Sequence, residues 1–164
     1  MKWVLIILGA LIGVAAIMFI AGTLLPVAHT ASRRVELKAT PEKIWQLLTQ
    51  FADYPKWRKE LKQVEVVNEK SWKEIDSHGE SITFALQEAQ PFEKMVTVIA
   101  DKNLPFGGSW TFELQAGAAG TTLTITENGE VYNPLFRFMS KFIFGHTATL
   151  EKYLDNVKMA LGEN

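Results

Sequence analysis

The chain has 164 residues, a formal charge of −1 and no cysteine; 48% of its residues are apolar and 11% aromatic. That aromatic content at almost zero net charge excludes a disordered chain, and the length excludes two large domains. The missing cysteines exclude disulfides, thiolate metal sites and cysteine nucleophiles, while the absence of a basic run argues against nucleic acid as a partner.

The apolar residues are unevenly spread, with 20 of them among the first 25 positions. Trp3 to Leu25 carries no charge. As a helix rising ~1.5 Å per residue it reaches about 34 Å, enough to cross a hydrocarbon core of ~30 Å. The stretch is longer than the apolar part of a signal peptide, and no small-x-small cleavage site follows it. It also lacks the polar face of a core helix. Residues 1–25 therefore read as an uncleaved transmembrane anchor, 26–32 as a short tether and 33–164 as one soluble domain. Gly9-x-x-x-Gly13 has the spacing of a helix-packing motif, but glycine is common in membrane helices. Arg33, Arg34 and Lys38 after the span outnumber Lys2 before it, so the positive-inside rule favours a cytoplasmic domain for the single-pass protein, while Lys2 before a long apolar run also resembles a signal anchor with its domain outside. A seven-residue tether reaches at most about 25 Å, which holds the domain against the bilayer.

Beyond the tether, Arg33 to Ala39 alternates as a strand. Thr40-Pro41-Glu42-Lys43 opens a helix, with Thr40 as N-cap and Pro41 in the first turn. Ile44, Leu47, Leu48 and Phe51 form its apolar face, and a second short helix or turn follows at Asp53 to Arg58. From Leu61 the period becomes two. Strands are expected at 64–68, 71–77, 80–87, 93–101, 108–115 and 121–127, joined by short turn-forming connections as an antiparallel meander. After Asn133-Pro134 a helical period runs to about Leu161, with Leu135, Met139, Phe142, His146, Leu150, Leu154 and Val157 on one stripe. The order is strand, two short helices, six strands and one long helix. A one-faced sheet must bury that face, and only the terminal helix is long enough to cover it. The expected class is α+β: a curved antiparallel sheet wrapped around a long C-terminal helix, with a pocket between them.

This order, with Ala39-Thr40-Pro41-Glu42-Lys43-Ile44-Trp45-Gln46-Leu47-Leu48, the turn Asp53-Tyr54-Pro55-Lys56-Trp57 and the long last helix, resembles the START-related SRPBCC superfamily with its helix-grip fold. The resemblance is to its polyketide cyclase/dehydrase-like and lipid-transport-like members and covers about residues 33–160. It implies a hydrophobic cavity for lipids, sterols, polyketides or quinones, with only some members catalytic. The anchor departs from the soluble norm of that superfamily.

Strand parity and the helical stripe select the expected lining of the pocket. Trp110, Phe112, Leu123, Ile125, Phe84 and Met95 stand on the sheet side, and Met139, Phe142 and His146 on the helix side. Glu127 follows Leu123 and Ile125 in phase. It is either a cavity carboxylate with a raised pKa or, if the strand ends or bulges at Asn128-Gly129, a residue of the wet rim. His146 is either a general base or polar ligand anchor, or a hydrogen-bonded structural histidine. Glu127 and His146 are thus the candidate catalytic pair. Three scattered histidines without ligand spacing leave no metal site to expect, and no cofactor motif is present. Phe136, Phe138, Phe142 and Phe144 crowd into three turns, either as a surface touching the bilayer or the cavity mouth, or as a helix wrapped by its neighbours. Trp57 and Phe106 join them as candidates for the rim or for membrane contact. The leading expectation is a membrane-anchored binding domain for a hydrophobic small molecule or lipid. A cyclase- or dehydratase-like enzyme and a non-catalytic membrane-associated interaction module are the alternatives.

Overall fold

The two-residue alternation between Leu61 and Val131 produces six consecutive strands in the computed structural model, which describes residues 2–163. Positions 1 and 164, the outermost of the expected anchor and domain, lie outside the described residues. The strands are β2 (Leu61–Asn68), β3 (Ser71–Asp76), β4 (Ser81–Gln90), β5 (Lys94–Ile99), β6 (Phe106–Gly117) and β7 (Gly120–Val131). With β1 (Ala28–Leu37) they form one antiparallel sheet of order β1-β7-β6-β5-β4-β3-β2.

Several strand boundaries differ from expectation by a few residues, and the two largest changes, the start of β1 and the end of β7, share one cause. β7 does not stop or bulge at Asn128-Gly129 but keeps register with β1 as far as Glu130 and with β6 as far as Val131. Its extra residues offer backbone partners that the preceding chain takes up: Ala28 pairs with Glu130 and Thr30 with Asn128. Leaving those groups unpaired beside a sheet edge would be unfavourable. Most of the expected tether is therefore strand, and the link to the first helix shortens to the residues before Ala28.

Between β1 and β2 lie α2 (Pro41–Thr49) and α3 (Tyr54–Trp57), joined by a short 3₁₀ turn at Phe51–Asp53. Thr40 has the extended backbone of an N-cap, but its side chain makes no capping bond. The expected single terminal helix is broken. Asn133 Oδ1 accepts from the Leu135 and Phe136 backbone N–H groups and starts α4 (Pro134–Met139), which runs into a π turn at Ser140–Phe144. Gly145, at φ 74° and ψ 153°, then interrupts the helix before α5 (Ala148–Leu161). A hydrophobic stripe continues across this break, which is why periodicity alone does not reveal it.

α5 lays Leu150, Tyr153, Leu154 and Val157 into a core with Ile44, Leu48, Met95, Leu123 and Ile125. Its far end is tied down by Glu163, whose carboxylate accepts from the Lys38 and Ala39 backbone N–H groups at 2.8 and 3.1 Å. α1 (Lys2–Thr23) is long and apolar enough to cross a membrane and is exposed over almost its whole length. Its C-terminal part, from about Met18 onward, meets the domain at α4. Gly22 is buried where any Cβ would collide with the Pro134 carbonyl of α4. Arg137 completes the clamp, donating from Nη1 to the Leu25 carbonyl at 2.8 Å and from Nη2 to the Tyr132 carbonyl at 3.3 Å.

Candidate functional site

Because the last helix breaks at Gly145, α5 covers only part of the sheet's inner face. The uncovered part is a cavity of about 950 Å³, between β3–β7 on one side and α4, the π turn and the start of α5 on the other. That volume lies in the range of small-molecule sites. Trp110, Phe112 and Phe84 line it from the sheet, Met139, His146 and Tyr153 from the helical side, and Phe106 and Phe136 also contribute to the wall.

Five residues expected in these roles are placed elsewhere, and a sixth, Phe138, stands off the cavity wall. Met95, Leu123 and Ile125 have the right strand parity, yet each is 0% exposed within the core that packs against α5. Parity identifies the inner face; the position of the helix decides which part of that face is open. Phe142 points outward because the π turn rotates it off the helical stripe, and it packs against Phe138 with ring centroids 4.9 Å apart. Neither belongs to the wall. Trp57 is buried rather than at a rim, edge-on to Tyr54 and Tyr153 at 5.2 and 5.5 Å.

Two polar groups face the cavity. The first lies on the β7 side. Since β7 does not bulge, Glu127 stays in phase with Ile125, opposite Trp110 on β6. Its side chain keeps 21% of its exposure, and burial raises its pKa, only partly offset by the neighbouring Trp110 indole. His29, from the segment expected to be tether, brings Nε2 to 3.7 Å from Glu127 Oε1, beyond hydrogen-bond reach. Its ring stacks on His146, centroids 3.9 Å apart, and His146 Nδ1 lies 3.2 Å from Ser140 Oγ. Burial lowers the pKa of both histidines; for His29 the second cause is His146, and for His146 it is Lys141. Gly129 makes the approach possible, because a Cβ there would strike the His29 ring.

The second group lies on the β3 side, around Arg58. Its guanidinium donates to Glu60 at 3.0 Å and to Glu74 at 2.8 Å, and it sits over the rings of Tyr54 and Tyr153. Glu74 also accepts from Trp72 Nε1 at 3.0 Å. Burial opposes the charge on Arg58, but Glu74 and Glu60 together hold it more firmly protonated than a free arginine. Burial raises the pKa of both tyrosines. Tyr54 donates to the Leu48 carbonyl at 2.6 Å, and the Tyr153 hydroxyl is buried beside it.

Sequence reasoning missed this group, although Glu74 follows the buried Trp72 with the same two-residue phase that singled out Glu127. His29 left no comparable signal, because only the extension of β7 gives it a place. Among the described residues, no three His, Asp or Glu side chains are grouped to share a metal ion.

The family described as "Polyketide cyclase / dehydrase and lipid transport" matches residues 28–162, which is nearly all of the chain outside α1. The chain belongs to this family. Among solved structures it is similar to a START superfamily protein from Mycobacterium smegmatis, with 19% identity, TM-score 0.67 and coverage of 82% of this chain and 97% of that one. It is also similar to a Thalictrum norcoclaurine synthase point mutant solved with a transition-state analogue, at 10% identity and TM-score 0.66, covering 84% and 96% of the two chains. The di-domain ARO/CYC protein StfQ of the steffimycin biosynthetic pathway matches at 10% identity and TM-score 0.66, over 81% of this chain and 50% of that one. At these identities the likeness concerns the START-like helix-grip fold. No curated protein matches the chain.

Proposed function

We propose that the protein is a membrane-anchored binding domain for a hydrophobic small molecule or lipid, held between the sheet and the C-terminal helices. The observation that carries this reading is a cavity of about 950 Å³ whose wall includes Phe136 and Phe144, on the segment clamped to the apolar helix α1. Trp110, Phe112, Phe84, Met139 and His146 contact the ligand. Burying about 300 Å² of apolar ligand surface is worth roughly 7 kcal/mol before ordering costs. Membership of a family with a START-like, ligand-binding fold supports the same reading.

α1 spans the bilayer, and the domain stands on its cytoplasmic face, next to Arg33, Arg34 and Lys38. Phe142, Ile143 and Phe144, each at least 58% exposed, meet the headgroup region beside the end of α1, with Lys141 among the phosphates. Detergent-purified full-length protein should yield a co-extracted apolar compound by mass spectrometry, lost in Phe84→Arg. Preparations that contain no such compound and take up no added apolar probe would overturn the reading. A reporter fused at the C terminus tests the orientation.

A second reading is favoured by one observation: Glu127 and His146 line the same cavity, with His29 between them. A cyclase- or dehydratase-like enzyme would use Glu127 as acid and His146 as base on an apolar substrate. Turnover of a cavity-bound compound that Glu127→Gln abolishes without changing its affinity would favour this reading.

A further inference from the structure

The charges around the cavity are one-sided. Five carboxylates line it: Glu74, Asp76 and Glu80 on β3 and the following turn, Glu127 and Glu130 on β7. Among the described lining residues the one lysine or arginine is Arg58, and it is already committed to Glu60 and Glu74. The two histidines of the wall have lowered pKa values, so they supply no lasting positive charge at neutral pH. Arg137 and Lys141 lie in a separate, smaller cleft beside the end of α1, where Arg137 is occupied by the Leu25 and Tyr132 carbonyls. An anionic head group entering the cavity would lose its hydration, approach like charges on two sides and find no free cation. Tyr153 presents its ring to the cavity, whereas its hydroxyl is sealed away beside Tyr54.

We infer that the cavity selects against anionic amphiphiles and takes an uncharged apolar molecule, a conclusion that rests on the ligand-binding reading above. Fatty acids and phosphate-headed lipids are excluded by charge rather than by size.

The test uses full-length protein in phosphatidylcholine nanodiscs and two pyrene-labelled probes with the same alkyl chain, one ending in a hydroxyl and the other in a carboxylate. Binding is read as tryptophan-to-pyrene energy transfer after subtraction of empty nanodiscs. The alcohol should bind at least tenfold more tightly at neutral pH, and Glu127→Gln should narrow that ratio at least threefold. Glu130→Gln, at an exposed position, is a milder second variant expected to narrow it in the same direction. A carboxylate bound as tightly as the alcohol, or a ratio unmoved by both glutamate variants, would overturn the selectivity. Binding of neither probe would overturn the ligand-binding reading itself.

Discussion

Glu74→Ala should be among the most damaging single changes in the domain, and its cost follows from the geometry around Arg58. Glu74 is 7% exposed, and its Oε1 alone accepts from both Arg58 Nη1 and Trp72 Nε1. Truncating it leaves a buried guanidinium half-paired and an indole N–H without an acceptor. Breaking a buried pair in this way costs about 3–5 kcal/mol. For a domain of this size that corresponds to a fall in melting temperature of roughly 10–15 °C. Glu60 does not compensate, because it already holds Arg58 Nε and is itself more exposed. Removing both charges should recover much of the loss. In Arg58→Met with Glu74→Met no charge is stranded at the centre, and Glu60 keeps Lys152 at 3.9 Å and the Asn156 amide at 3.2 Å. The assay is thermal unfolding of the full chain in one detergent, followed by tryptophan fluorescence, for both singles and the double. A loss below about 3 °C in Glu74→Ala, or a double variant as unstable as the sum of its singles, would refute the reasoning.

Acidification should loosen the β7 side of the cavity. His29 and His146 have folded pKa values below the ordinary 6.5, so the unfolded chain binds more protons and stability falls as pH drops through that value. Glu127 is raised and acts in the opposite sense, gaining stability as it protonates at lower pH. The melting temperature should therefore decline from pH 7.5 to 5.5 and decline less in His146→Gln; identical slopes would contradict this. Gly22→Leu should force α1 away from Pro134, and hydrogen exchange over Pro134–Phe144 should then accelerate while α5 remains protected. Exchange unchanged in both would show that the clamp does not order the cavity wall. Phe142→Ser with Ile143→Ser should leave the domain's unfolding within about 1 kcal/mol, because both side chains are exposed, in contrast to the 2–5 kcal/mol expected for Ile125→Ala in the core. Comparable losses in the two variants would mean that the phenylalanine-rich turn packs into the domain.

Much of the fold is legible in the chain because it depends on local regularities. Two-residue alternation from Leu61 onward locates six strands, Pro41 marks a helix start, and the uncharged run from Trp3 to Leu25 marks an apolar helix. Membership of the helix-grip family follows from these elements in order. The site is less legible. Glu127 and His146 stood out because each is a titratable group on an apolar face. Yet the same parity rule also selected Met95, Leu123 and Ile125, which lie beneath α5.

Periodicity, turn chemistry and composition therefore determine which residues face inward, and they do so by themselves because each depends on neighbours within a few residues. Three matters depend on contacts between distant segments, and only the tertiary structure decides them. The break at Gly145 opens the cavity. The extension of β7 lifts His29 out of the tether and places it beside Glu127 and His146. The packing of α3 and β3 around Tyr153 brings Arg58 and Glu74 together as a buried pair. Each is the outcome of satisfying backbone groups or charges against a partner elsewhere in the chain, and no local pattern carries that information.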